Sequence, residues 1–155
     1  MTHVLAGRCI INGKDIWTEY HAFLREERKG SRENINALLA PAKMKPHVAV
    51  NYRERNGEQY SASLTPRSEG RDITLHFCIT DDTASGFVDK YLSFIEFLKT
   101  GSNGWLTMVF PLFGLTIRVY ADQFPSGFTS ISDLWSEGTQ AGAFKVKFRE
   151  PDPLL

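Results

Sequence analysis

From Asp72 to Ile79 polar and apolar residues alternate without a break. Ile73, Leu75, Phe77 and Ile79 fall on one side, Asp72, Thr74, His76 and Cys78 on the other. Successive side chains of a strand point to opposite faces, so this stretch belongs in a sheet with one buried face. Directly after it the period changes to that of a helix. Phe87, Tyr91, Phe94, Ile95 and Leu98 form one apolar stripe, widened by Val88 and Leu92. Asp81, Asp82 and Thr83 offer side-chain oxygens to cap the first turn, and Gly101 is placed to stop the last one. The pattern predicts a helix over about residues 84–99, able to cover an open face or end of a sheet.

Short strands account for most of the remaining chain. Asn12-Gly13 is a tight-turn dipeptide, and Ile16-Trp17 with Tyr20–Leu24 can supply the returning element. Val48, Val50 and Tyr52 alternate with polar neighbours, Arg55-Asn56-Gly57 turns the chain, and Gln59–Leu64 can return. Leu106, Met108 and Phe110 form another strand face, and Leu115, Ile117 and Val119 the next. At the end Phe144, Val146 and Phe148 point inward while Lys145, Lys147 and Arg149 point outward, until Pro151 and Pro153 close the ladder. About seven or eight strands at hairpin spacing, one helix and no internal repeat define the expected class. It is a mainly β protein, an antiparallel β-sandwich or barrel-like sheet with one amphipathic helix packed against it. Residues 1–155 are read as one domain. Residues 25–46 give no clear strand: charges of both signs surround Gly30, and a brief apolar patch follows before Pro41 and Pro46. That segment reads as a long irregular loop or arm.

Composition narrows the function classes. Eighteen Lys and Arg balance 18 Asp and Glu, so no bulk charge draws the chain to nucleic acid or an anionic membrane. No apolar run approaches the ~20 residues that span a bilayer. The N-terminus lacks the pattern of a secretory signal, and two cysteines are too few for a disulfide scaffold.

Chemistry-bearing patterns are sparse. His3, His21, His47 and His76 lack zinc-site spacing, and His76 with Cys78 makes at most two ligands on one strand face, with Asp72 as a distant third. Asp81-Asp82 reads more simply as helix capping than as a catalytic carboxylate pair. Gly101-Ser-Asn-Gly104 is explained by the exit from the helix. Trp105, Trp135, Phe124, Phe128 and Tyr120 gather in the last third and serve either as core or as a sugar-stacking platform. The outward row Lys145, Lys147, Arg149 reads as protection of an edge strand. No catalytic constellation, metal site or cofactor site emerges.

The order of features resembles the N-terminal domain of siphophage distal tail proteins, and more broadly the fold shared by tail-tube and baseplate-hub proteins. The residues that carry the resemblance are Ile11-Asn-Gly-Lys-Asp-Ile16, the hairpin Val50–Tyr60, Arg71–Ile79 running into the helix with Phe94–Leu98, and Phe144–Pro153. The resemblance implies a non-enzymatic virion tail subunit, made in the bacterial cytoplasm, that joins tail tube to tail tip. It implies a homo-oligomeric ring, six-fold in the family, with other tail proteins as partners. No membrane and no sequence-specific nucleic acid are expected. Under this reading the subunit contacts come from Arg25, Arg28, Lys29, Arg32, Ile35, Leu38 and Leu39 of the arm, and from Lys145, Lys147 and Arg149. An end at Leu155 implies a minimal form without a second, carbohydrate-binding domain. Two other classes stay open: a small β-sandwich module that binds sugar or protein, and an enzyme built on His76 and Cys78.

Overall fold

The computed structural model of the chain describes residues 6–26, 30, 32–132 and 138–153. His3, Arg28, Lys29 and Trp135 lie outside them. Its elements in chain order are β1 (Ile10–Ile11), β2 (Lys14–Asp15), α1 (Ile16–Tyr20), β3 (Ala22–Leu24), α2 (Glu33–Leu39), β4 (Arg71–Asp81), α3 (Ala84–Thr100), β5 (Leu106–Phe110), β6 (Leu115–Gln123), β7 (Ser130–Ile131) and β8 (Gln140–Glu150). All pairings are antiparallel. The strands form one curled sheet in the order β2-β1-β5-β6-β8-β4-β3, with β7 also on β8. The protein is therefore mainly β, as the alternating runs require.

The longest ladder is β4 against β8, in register from Arg71 opposite Glu150 to Asp81 opposite Gln140. The inward residues of both strands meet α3. Phe87, Phe94 and Leu98 of the helix are buried, as are Ile73, Leu75, Phe77 and Ile79 of β4 and Phe144, Val146 and Phe148 of β8. Aromatic rings dominate the contact. The Phe77 centroid lies 5.3 Å from that of Phe94 and 6.0 Å from that of Phe144, with mostly edge-on geometry that suits ring quadrupoles. Thr83 caps the helix, accepting from the Gly86 amide at 3.0 Å, and Gly101 ends it.

Four expectations need correction. The helix at 84–99 has two short companions, α1 and α2. Residues 25–46 are not wholly irregular, because α2 forms inside them and packs on β4. The expected strands at 48–64 shrink to a single bridge, Val50 opposite Gln59, and apolar side chains of that ribbon are exposed, Val48 at 86%. Finally, β8 is an interior strand, with β4 on one side and β6 and β7 on the other. Its lysine row therefore does not guard an edge.

Candidate interaction surface

Asn34 ties α2 to the body of the sheet by hydrogen bonds. Beyond Leu24 the β3–β4 ladder continues only as the Arg25 amide donating to the His76 carbonyl at 2.9 Å. Asn34 takes over from there. Its Oδ1 accepts from the His76 amide at 2.7 Å, and its Nδ2 donates to the Arg25 carbonyl at 3.1 Å and to the His76 carbonyl at 3.2 Å. A buried carboxamide thus stands in for a strand rung and anchors the helix. The arm residues expected to touch a neighbour are divided by this geometry. Leu38 is buried in the core of its own chain, so it cannot form surface. Leu39, Arg25 and Arg32 are exposed, and Ile35 is half-buried. Ile35 lines a shallow groove of about 260 Å³ with Leu24, Leu112 and Phe113.

The chain leaves this region through a clasp. Arg71, at the start of β4, is buried and donates to the Ala40 carbonyl. Its Nε lies 3.3 Å from Glu150 Oε1, so an ion pair ties the ends of the two longest strands to the exit from α2. Residues 42–70 then run out as a long ribbon. Lys45 donates to the Arg67 carbonyl at 2.8 Å and Glu69 to that of Lys43 at 2.7 Å. Farther out, Val50 and Gln59 exchange both backbone bonds at 2.8 Å. Val48, Val50 and Tyr52 of this ribbon are all exposed, at 86%, 47% and 51%.

The outer face of the sheet carries charge. Arg149 pairs with Asp72 at 3.0 Å, while Lys147 lies 3.4 Å from Asp72 and 3.7 Å from Asp122. The hydrogen bond from Arg149, with Lys147 nearby, holds the Asp72 carboxyl below its ordinary value. Lys145 is exposed beside Thr74 and the Phe124–Ser126 loop.

The other candidates for chemistry take structural places. Asp81 pairs with Lys90 at 3.0 Å, which lowers its carboxyl, with help from Thr83. Burial pushes the Cys9 thiol up to about 12 and also raises that of Cys78, so both are protonated thiols at neutral pH. Among the described residues no group of three or more His, Cys, Asp or Glu is placed to hold a metal ion. The aromatic cluster separates: Phe128 joins the core beside Tyr91, at 4.9 Å, and Trp105 is half-buried with the Arg118 guanidinium 4.2 Å over its ring.

The mainly β fold, with its full-length β4–β8 ladder and α3 packed on it, is similar to that of a phage distal-tail protein. A solved structure similar to this chain is that of the SPP1 Dit (gp 19.1) protein, described as a paradigm of the hub adsorption apparatus in phages that infect Gram-positive bacteria. The similarity has a TM-score of 0.57 and 13% sequence identity, and covers 94% of this chain and 50% of that one. The chain thus spans half the length of that protein. No family model matches the sequence, and no curated protein does.

Proposed function

We propose that the chain is a structural subunit of a phage tail, acting in a hub-like ring that joins the tail tube to the tail tip. The observation that carries this reading is the likeness to SPP1 Dit across 94% of the chain. Its ring is built of identical copies, six by resemblance, and it contacts other tail proteins and no substrate. The exposed parts of the 25–46 segment (Arg25, Arg32, Ile35 and Leu39) and Lys145, Lys147 and Arg149 of β8 are the first places to look for neighbours. The ribbon adds exposed apolar side chains, Val48, Val50 and Tyr52, that are available to a neighbour.

Light scattering on a size-exclusion column, across a concentration series and with electron microscopy of the peak, tests the proposal. A mass several times 17.5 kDa and closed rings are expected. A monomer at every concentration, which also fails to join tails assembled from the other tail proteins, overturns it.

A further inference from the structure

The sequence sets Asn before Gly three times, at Asn12-Gly13, Asn56-Gly57 and Asn103-Gly104. Glycine has no Cβ to crowd its backbone nitrogen, so in this pair that nitrogen readily reaches the preceding carboxamide. The structure treats the three pairs differently. The Asn12 carboxamide is held at both ends, accepting from the Thr107 amide at 2.8 Å and donating to the Trp105 carbonyl at 3.1 Å. At Asn103-Gly104 the glycine nitrogen is engaged, donating to the Thr100 carbonyl at 2.8 Å, and Ser102 and Trp105 exchange both backbone bonds around the pair. Asn56-Gly57 has neither lock. Both residues are exposed, and among the described residues nothing hydrogen-bonds to the Asn56 carboxamide or to the Gly57 amide. Between Val50 and Gln59 the one backbone bond runs from the Arg55 amide to the Tyr52 carbonyl, at 3.1 Å, so no rung fixes the chain at residues 56 and 57.

We propose that Asn56 is a site of spontaneous covalent modification, deamidation through a cyclic imide, and that hydrogen bonding protects Asn12 and Asn103 from the same reaction. The Gly57 backbone nitrogen gives its proton to hydroxide and attacks Asn56 Cγ. A bond forms between that nitrogen and Cγ, the Cγ–Nδ2 bond breaks, and the departing nitrogen takes up a proton from water and leaves as ammonia. Water then opens the imide. Addition at Cγ gives aspartate, and addition at the backbone carbonyl carbon gives isoaspartate, in which the main chain runs through the former side chain. The reaction consumes water and needs no oxidant or cofactor. Either product brings a carboxylate to a tip where Arg53 and Arg55 balance Glu54 and Glu58, so the tip becomes net negative. Isoaspartate also adds a methylene to the backbone there. The inference is independent of the ring-subunit reading, because it concerns the chemistry of the single chain.

The test incubates the full chain in mildly alkaline buffer, folded in one sample and unfolded in guanidinium chloride in another, and follows both by peptide mass mapping and ammonia release. Unchanged circular dichroism shows that the first sample stays folded. In it Asn56 is expected to convert first, roughly tenfold or more faster than Asn12 and about fivefold or more faster than Asn103, because those sites must first break the hydrogen bonds that hold them. In guanidinium the three sites should convert at similar rates. Asn56→Gln should abolish the early conversion and leave the other two sites unchanged, since glutamine would have to close a larger ring. Conversion of Asn12 or Asn103 ahead of Asn56, or equal rates at all three sites in the folded chain, overturns the proposal. So does an Asn56 that stays intact while the unfolded chain reacts. The same ranking in guanidinium would place the selectivity in the neighbouring residues rather than in the hydrogen bonds, and overturns it too.

Discussion

Asn34 and Asn12 do similar work at opposite ends of the sheet. Asn12 accepts from the Thr107 amide at 2.8 Å and donates to the Trp105 carbonyl at 3.1 Å, so each carboxamide substitutes for backbone where a short strand gives out. Asn34 is the more buried, and removing it orphans the His76 amide. Asn34→Ala should therefore destabilise the chain by about 1–3 kcal/mol, read as a lowered urea midpoint. Glu150→Ala leaves the Arg71 guanidinium buried without its carboxylate, and a loss of about 3–5 kcal/mol is expected from the same titration. Acid titration is governed by Asp72 and Asp81, whose carboxyls are both lowered in the folded chain. Their stabilisation is present above the ordinary value of 3.8 and is lost as pH falls through the folded values. In Asp72→Asn the acid limb of the stability profile should be shallower. Cys9 acts in the other direction: its thiol, raised from 9.0 to about 12, costs the fold stability as pH climbs through that interval. None of these partnerships was legible in the sequence, because a carboxamide or carboxylate looks alike whether it faces water or a distant strand.

At the scale of elements, α3 and β4 were legible because their patterns are long. A cap, an apolar stripe and a stop signal agree over 17 residues, and alternation in β4 holds over most of 11. Thr83→Ala should cost about 1 kcal/mol through the lost cap, seen as a lower melting temperature. Gly142 of β8 leaves no room for a side chain: a Cβ there would lie 2.6 Å from Phe87 Cζ and 3.0 Å from Phe128 Cδ1. Gly142→Ala should destabilise by about 1–3 kcal/mol through overpacking. The helices α1 and α2, of five and seven residues, are shorter than any window in which a 3.6-residue period can be seen. Two misreadings have a common cause. Alternation reveals that a strand has two faces, and says nothing about which strand lies beside it or what covers a face. Lys145, Lys147 and Arg149 thus look like an edge while sitting mid-sheet, and Val48, Val50 and Tyr52 look like core while pointing into solvent.

For the whole molecule, identity of 13% alongside a shared fold over 94% of the chain says where the information resides. A fold can be shared at that identity because cores accept varied side chains of suitable volume. The subunit contacts were less legible, since a surface residue and an interface residue differ only by what comes to meet them; Leu38, read as contact, proved to be core. Replacing residues 46–66 with a short Gly-containing turn should leave the melting temperature of the body nearly unchanged, since a halving of loop length alters closure by only about 0.6 kcal/mol. The same variant should lose its oligomeric mass in light scattering.

The clasp at the root of the ribbon has a longer-term consequence. Arg71 fixes the exit from α2, and the rungs between Lys43 and Glu69 and between Lys45 and Arg67 hold the two ends of the excursion a strand's spacing apart. Whatever lies between them is a cassette with a standard socket. Its length and side chains can change without reopening the sheet, because the rungs at its root fix where the chain leaves and returns.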